Sequence, residues 1–367
     1  MKSELYILIF LGIVLIILFN KTKPTFKEHF IDYNQRVCDP PELLKQALDE
    51  RKLSYNKTET DYYIPCTYDT CEADVVALAN KKSKKKLYLI DGCDVLASKL
   101  DLWRKIKKKF GKDADKYMPR TYILEELGDK TEFINHFDEN YNKRPGQMYV
   151  LKNYNQRQLG IKLTRDKNEI LSGHDNGWYI VQDYVYDPYI IANRKINFRY
   201  YLLITCIQGK VNGYVFDDGF VYYTPEYYDE NDMEFDKHIT TGYIDRDVYV
   251  SNPLTQKDFR KYLENIQPGS SKIWDKSAND LLKHTMEALD KEICTNNALA
   301  NNVRAQLFGC DLAPDSKLGV KLMEINKGPD IGAKDDRDRA LKLRLQRDIL
   351  VVIEDNTTTN TGFSKIY

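Results

Sequence analysis

Leu307–Asp330 reads LFGCDLAPDSKLGVKLMEINKGPD, and its pattern constrains the rest of the chain. It predicts two short strands joined by a polar turn, with Asp311 on the first strand and Glu324 and Asn326 two apart on the second. Residues two apart on a strand share a face, so Glu324 and Asn326 reach one point, and pairing of the two strands brings Asp311 there too. Such a set of hard oxygen ligands suits Mg²⁺, which is usually held by one or two carboxylates plus substrate phosphates. The combination points to nucleotide chemistry. A carboxylate and an amide near a strand end also occur as plain turn residues. Here, however, Val320, Leu322, Met323 and Ile325 make the second strand apolar enough to be buried. A buried strand carrying Glu and Asn needs partners for both groups, and a metal supplies them.

The 367 residues suffice for a large core divided into two or three subdomains. Lys+Arg and Asp+Glu are both 55, a balance that gives no signal toward nucleic acid. The seven cysteines (38, 66, 71, 93, 206, 294 and 310) are odd in number and irregularly spaced, and Cys66 and Cys71 lack a second pair at zinc-site spacing. The expectation is a reduced compartment, with no disulfide framework and no structural zinc.

Leu5–Phe19 is an unbroken apolar run, followed by Lys21, Lys23 and Lys27 and preceded only by Lys2, with Glu4 beside it. A cleaved signal peptide carries its charge first and ends in small residues, which Phe19-Asn20-Lys21 does not. The reading adopted is a single-pass membrane-anchor helix over residues 1–20, with the catalytic part on the cytoplasmic side. A cleaved peptide and a peripheral hairpin remain the alternatives.

Residues 21–97 read as a tether and N-terminal subdomain, 98–195 as a central subdomain, 196–354 as a C-terminal subdomain with the metal site, and 355–367 as a flexible tail. Lys99–Phe110 has Leu100, Trp103, Ile106 and Phe110 at helical spacing. Pro41–Leu53 and Asn279–Cys294 also read as helices. Lys86–Ile90, Met148–Lys152, Trp178–Val185, Ile196–Ile207 and Val211–Phe216 read as strands. Residues 80–112 hold twelve Lys/Arg against three Asp, and residues 211–236 hold eight acidic residues with no Lys/Arg. The first is either a solvated face or a basic docking surface for an acidic protein segment or anionic lipid.

A second constellation lies upstream. Lys152 closes a strand and is followed by the polar loop NYNQRQLGI, which contains Gly160. Next come VQDYVYDP, with Gln182, and RKINFRYYLLIT, in which Lys195, Asn197 and Arg199 alternate onto one face while Phe198, Tyr200, Leu202 and Ile204 line the other. Two cations and an amide on one strand face need anions or water opposite.

These segments, in this order, resemble the tubulin–tyrosine ligase-like family, whose fold is ATP-grasp, an α/β (α+β) architecture. The likeness runs from about Lys99 to Leu350. LASKLDLW and MPRTYIL resemble its lysine-bearing and Pro-x-Thr-Tyr segments, and YVLKNYNQRQLGI its lysine–glycine ATP loop. VQDYVYDPYII resembles its hinge, RKINFR its Lys-Phe-Asp-x-Arg and HITT its His-Leu-Thr-Asn. LFGCDLAPD and LMEINKGPD resemble its two magnesium strands, and DRALKLRLQRDIL its last helix.

The resemblance implies that Lys99 and Lys152 contact ATP phosphates beside the Gly160 loop, and that Gln182 holds the adenine with the backbone at Tyr184 and Val185. It further implies that Lys195 faces the nucleotide, that Arg199 orients the acceptor or acyl-phosphate, and that His238 and Thr240 lie near the ribose and substrate. Asn197 belongs to the nucleotide-facing set, and Asp311, Glu324 and Asn326 bind Mg²⁺. The implied activity is ATP-dependent ligation of a free amino acid to a carboxylate of a protein acceptor, tubulin or another acidic segment, by a monomer. The sequence departs from the family where Asn197 replaces Asp, Tyr222 replaces Arg, and Thr241 replaces the closing Asn. Two alternatives stay open: a non-tubulin or small-molecule acceptor, and a catalytically impaired, membrane-tethered nucleotide-binding protein.

Overall fold

The computed structural model describes residues 38–56, 60–153 and 160–367. Thirteen strands follow in chain order: β1 Tyr62–Tyr63, β2 Lys86–Leu87, β3 Thr121–Ile123, β4 Tyr149–Lys152, β5 Ile161–Thr164, β6 Ile180–Asp183, β7 Ile190–Ile191, β8 Arg194–Ile207, β9 Lys210–Phe216, β10 Phe220–Tyr223, β11 Arg304–Pro314, β12 Val320–Asn326 and β13 Phe363–Lys365. They build a mixed α/β protein with two sheets.

The larger sheet runs β1-β2-β11-β8-β9-β13, with β7 and β10 also pairing β8 and β12 pairing β11. Its spine is β8, whose alternation follows the sequence pattern. Phe198 and Tyr200 turn inward against Phe259 and Trp274 from the helices Gln256–Ile266 and Ser270–Leu289, with the Phe198 ring centroid 4.7 Å from Phe259 and 4.4 Å from Trp274. Burial of each such ring is worth roughly 1.5–3 kcal/mol. The opposite face of the same strand carries Lys195, Asn197 and Arg199.

The smaller sheet, β3-β6-β4-β5, is antiparallel throughout. On one face Tyr149, Leu151 and Val181 pack with Phe133 of the helix Leu127–Lys143. On the other, Val150 joins Met148, Leu163 and Tyr184. Period-2 alternation therefore turns Lys152 and Gln182 to the second face, where Lys152 Nζ donates to Gln182 Oε1 at 2.7 Å.

Several expectations are corrected. The single-pass membrane anchor and the cytoplasmic placement built on it are not upheld: among the described residues no helix is long and apolar enough to cross a membrane, and Leu5–Phe19 lies outside those residues. The segment after Asp355, read as a flexible tail, contains β13, which pairs antiparallel with β9, because Phe363 finds an apolar berth beside Phe216. The helix read as Asn279–Cys294 runs instead from Ser270 to Leu289.

The cysteines, too, are paired. Cys38–Cys66 and Cys206–Cys294 pair as disulfides, Cys71 and Cys93 bring their sulfurs together across a wider backbone span of 7.6 Å, and Cys310 is free and buried. Partners separated by 28 and 88 residues leave no spacing signature in the sequence.

Candidate active site

Backbone register brings the predicted metal ligands together. Arg199 on β8 stands opposite Asp311 on β11, and Asp311 stands opposite Glu324 on β12. Asn326 pairs in register with Gly309, two residue pairs along from the Asp311–Glu324 couple and so on the same side of the strand. The β11–β12 turn is held by Asp315, which accepts from the backbone N–H of Lys317 at 2.9 Å and of Gly319 at 2.8 Å. Three adjacent strands thus present Arg199, Asp311 and Glu324 in one row.

Arg199 grips Asp311 with two bonds, Nε to Oδ1 at 2.6 Å and Nη2 to Oδ2 at 3.1 Å. Gly309 leaves the room for this: a Cβ there would sit 3.0 Å from Arg199 Cδ. Asn326 Nδ2 donates to Glu324 Oε1 at 3.3 Å, so its carbonyl oxygen remains for another partner. Burial pushes Asp311 up to about 6 despite Arg199, with Glu324 adding to the rise. Burial also works against an ionised Glu324, but the charges of Lys99 and Lys152 outweigh it and hold that carboxyl below its ordinary value.

Facing these carboxylates is a cationic end. Burial lowers Lys152 to about 8, with Lys99 contributing against the pull of Glu324 and Asp311. Burial and the neighbouring Lys152 lower Lys195 to about 7. Lys195 Nζ donates to Tyr184 Oη at 3.2 Å and lies 4.4 Å from that ring's centroid. Tyr184 Oη and His238 Nδ1 are 2.9 Å apart, and His238 Nε2 lies 3.0 Å from Asp232 O. The carbonyl fixes the proton on Nε2, so Nδ1 accepts from the tyrosine, and burial holds His238 below its ordinary value in that neutral form. A relay Lys195–Tyr184–His238 results.

The remaining predicted residues take their places around this centre. Lys99 opens the helix Lys99–Phe110, whose cap Ser98 accepts from Asp101 N–H at 3.1 Å, and its charge is felt at both Glu324 and Lys152. Gly160 closes its loop by accepting from Asn153 N–H at 3.0 Å. Gln182 also donates to Thr121 Oγ1 at 2.8 Å. Tyr184 and Val185 are buried in the segment after β6, which borders a cavity of about 290 Å³ lined also by Arg120, His136, Asp183 and Lys321. That cavity touches none of Asp311, Glu324 and Asn326. Thr240 is half-buried two residues beyond His238, next to Thr241, which bridges to Tyr223 of β10.

Asn197 Oδ1 is buried without a hydrogen-bond partner, on the face between Lys195 and Arg199. That orphaned oxygen, two half-buried carboxylates and an amide carbonyl are the donor set a hard divalent cation requires, so the residues present fit Mg²⁺.

Sequence reasoning missed two contributors, Gly309 and the Tyr184 side chain, and read a third, Tyr222, only as a departure from the family. The Tyr184 side chain, not only its backbone, orders Lys195. Tyr222, opposite Asn197 on β10, sets its ring 5.5 Å from the Arg199 guanidinium, and burial pushes its hydroxyl up to about 12. Gly309 was the one with a legible signal, a glycine inside an otherwise bulky strand.

A carboxylate row on a large sheet faces lysines that come partly from a second, smaller sheet, an arrangement able to hold a cation and an anion side by side. The family model for "Tubulin-tyrosine ligase family" matches residues 80–360, and the chain belongs to that family. Among curated relatives it is 25% identical to "Tubulin glycylase 3B" of Drosophila melanogaster, over 60% of this chain and 31% of that protein. It is 28% identical to "Probable tubulin polyglutamylase ttll-9" of Caenorhabditis elegans, over 68% of this chain and 62% of the relative. Against human "Tubulin polyglutamylase TTLL6" it is 26% identical, over 74% of this chain and 32% of the relative. The chain therefore spans less than two thirds of the length of each.

Proposed function

We propose that this chain is an ATP-grasp ligase that uses Mg²⁺ and ATP to join an amino acid to a carboxylate of a protein acceptor through an acyl-phosphate. The observation that carries this reading is the in-register row Arg199–Asp311–Glu324 across β8, β11 and β12, set opposite Lys152 and Lys195. Asp311, Glu324 and Asn326 would hold Mg²⁺, which when bound would supply positive charge against the phosphates. Lys99, Lys152 and Lys195 neutralise the remaining phosphate charge, and Gln182 with the Tyr184–Val185 backbone positions the base. Arg199, beyond Lys195 on the same strand face, orients the acceptor carboxylate.

Tubulin is the first acceptor to test, because the relatives are named for it. The acidic stretch 211–236 bears less against this than its composition suggests. Asp217 is paired with Arg344, Asp232 with Lys237, and Asp218 accepts from the Lys257 backbone N–H. The basic segment is likewise spent partly inside the protein: Arg104 binds Glu126, Lys105 binds Glu292, and Lys107 binds Asp129 and Glu132.

The deciding assay incubates the purified chain with Mg²⁺-ATP, tubulin and labelled glycine, glutamate or tyrosine in turn. ADP release with label on the acceptor is the expected result. Amino-acid-dependent ADP release without labelled tubulin would move the acceptor elsewhere. Nucleotide binding with no turnover under any condition would favour the second reading, an impaired nucleotide-binding protein, for which Tyr222 in place of the family's Arg is the supporting observation.

A further inference from the structure

Apart from the nucleotide cleft, four donor side chains from two helix starts converge. Cys71 and Glu72 open the helix Cys71–Asn80, and Cys93 and Asp94 open the short helix Cys93–Ala97. Their two sulfurs and two carboxylate oxygens all lie within 4.8 Å of one another. Both cysteines are fully buried, Glu72 is half-buried and Asp94 is exposed.

The backbone span separates this pair from the other two. Cys38–Cys66 and Cys206–Cys294 have Cα separations of 5.6 and 6.1 Å, but Cys71 and Cys93 are 7.6 Å apart. Disulfides span about 4.4–6.8 Å between Cα atoms. A disulfide, moreover, gains nothing from two carboxylates turned toward it, and of these two only Asp94 has a lysine against it among the described residues.

The surroundings hold the four donors in place. Gly92 has φ +81°, and a Cβ on it would lie 2.2 Å from Glu292 O, so only glycine allows the turn that delivers Cys93 and Asp94. Asp91, just before it, is fixed by an ion pair with buried Arg304 and by accepting from Asn296 N–H at 2.8 Å. Asp94 N–H reaches Glu72 Oε1 at 3.4 Å, linking the two segments. Lys327, the residue after Asn326, pairs with Asp94.

We propose that Cys71, Glu72, Cys93 and Asp94 form a structural zinc site. Two thiolates and two carboxylates make the four-coordinate, closed donor set of a structural zinc, and thiolates select that ion over the hard cations of the nucleotide site. Two charges remain after Zn²⁺ is counted, and Lys327 offsets one. The sequence hides the site because its ligands come as two adjacent-residue pairs, not as the familiar two-residue-spaced cysteines. Its place in the fold gives it work to do. It clamps the helix Cys71–Asn80 to the segment that runs into Lys99, and through Lys327 it reaches the strand bearing Glu324 and Asn326.

The test uses the full chain, purified without chelator and assayed for metal by mass spectrometry and for thiols by titration. One zinc per chain is expected, lost in Cys93→Ser and weakened in Asp94→Asn and Glu72→Gln, with Cys206→Ser retaining it. The two carboxylate variants keep the question decidable if loss of a buried cysteine prevents folding. Replacement by Co²⁺ should give thiolate-to-cobalt charge-transfer absorption and the intense visible bands of a tetrahedral centre. Folded wild-type protein without metal would overturn the assignment. So would a Cys71–Cys93 disulfide found in nearly every molecule by non-reducing peptide mapping, or zinc retained undiminished in Cys93→Ser, Asp94→Asn and Glu72→Gln alike.

Discussion

The two ends of the candidate active site are built on opposite electrostatic plans. At the carboxylate end, Asp311 already has a bidentate partner in Arg199, and strand register fixes both. At the lysine end, Lys152 and Lys195 bond to the neutral oxygens of Gln182 and Tyr184, and burial draws both ammonium groups well below the usual lysine range. One end pairs its aspartate within the fold and leaves Glu324 for a cation, whereas the other is poised for an anion. Removing a group should therefore damage catalysis at the first and nucleotide affinity at the second.

The sharpest challenge to this contrast is Glu324→Gln. The change keeps shape and removes a charge from the row, so ATP turnover should fall by roughly 100-fold or more with the circular dichroism spectrum unchanged. Turnover at wild-type level would show that the row does not hold the metal.

Next in size is Arg199→Ala against Lys195→Ala. The first should cut ligation by roughly 100-fold with ATP affinity altered only about threefold, and the second should chiefly weaken ATP. Equal losses of ATP affinity, measured by nucleotide titration, would erase the distinction between the ends.

A subtler consequence concerns protons. Lys195 at about 7 and Lys152 at about 8 are largely or partly neutral at mildly alkaline pH. A polyphosphate between them would restore both charges, so nucleotide binding near pH 8 should take up about one proton, visible by calorimetry in buffers of different ionisation enthalpy. The sign for stability follows from the same shifts. The folded state holds these protons less tightly than the unfolded state, so the nucleotide-free protein should gain stability as pH rises from about 7 toward the ordinary lysine value, and ATP should flatten that gain. Proton release on binding would contradict the cationic end.

The smallest expected effect is Tyr184→Phe, which loses the link between Lys195 and His238 at a cost of about 0.5–1.5 kcal/mol. The Michaelis constant for ATP should rise a few-fold with little change in maximal rate. A large fall in rate alone would place Tyr184 in the chemistry instead.

Much of this was legible in the sequence because sheets write their faces in alternation. Lys195/Asn197/Arg199 against Phe198/Tyr200, and Glu324 with Asn326 on one face, could be read before any fold was known, whereas the bulge at Met323 that turns Leu322 to the other side could not. What could not be read was contact between distant segments. No local rule links Cys206 to Cys294, or Asp91 to Arg304, and the Tyr184 hydroxyl meets His238 across 54 residues. The C-terminal strand β13 was invisible for a related reason: NTTTNTGFSKIY has little apolar pattern of its own and becomes a strand through pairing with β9.

The alignment of Arg199, Asp311 and Glu324 across three hydrogen-bonded strands makes the site obey a parity rule. Within β12 the even positions Glu324 and Asn326 serve the cleft. A single residue inserted upstream of them inside the strand would exchange even for odd and offer Met323 and Ile325 in their stead. The same slip would drive a carboxylate and an amide into the hydrocarbon side. Loss of the reaction and loss of the fold would then arrive in one step. Length variation in this part of the chain should consequently be confined to the Asp315–Gly319 turn, where added residues can bulge outward without changing the count between ligands.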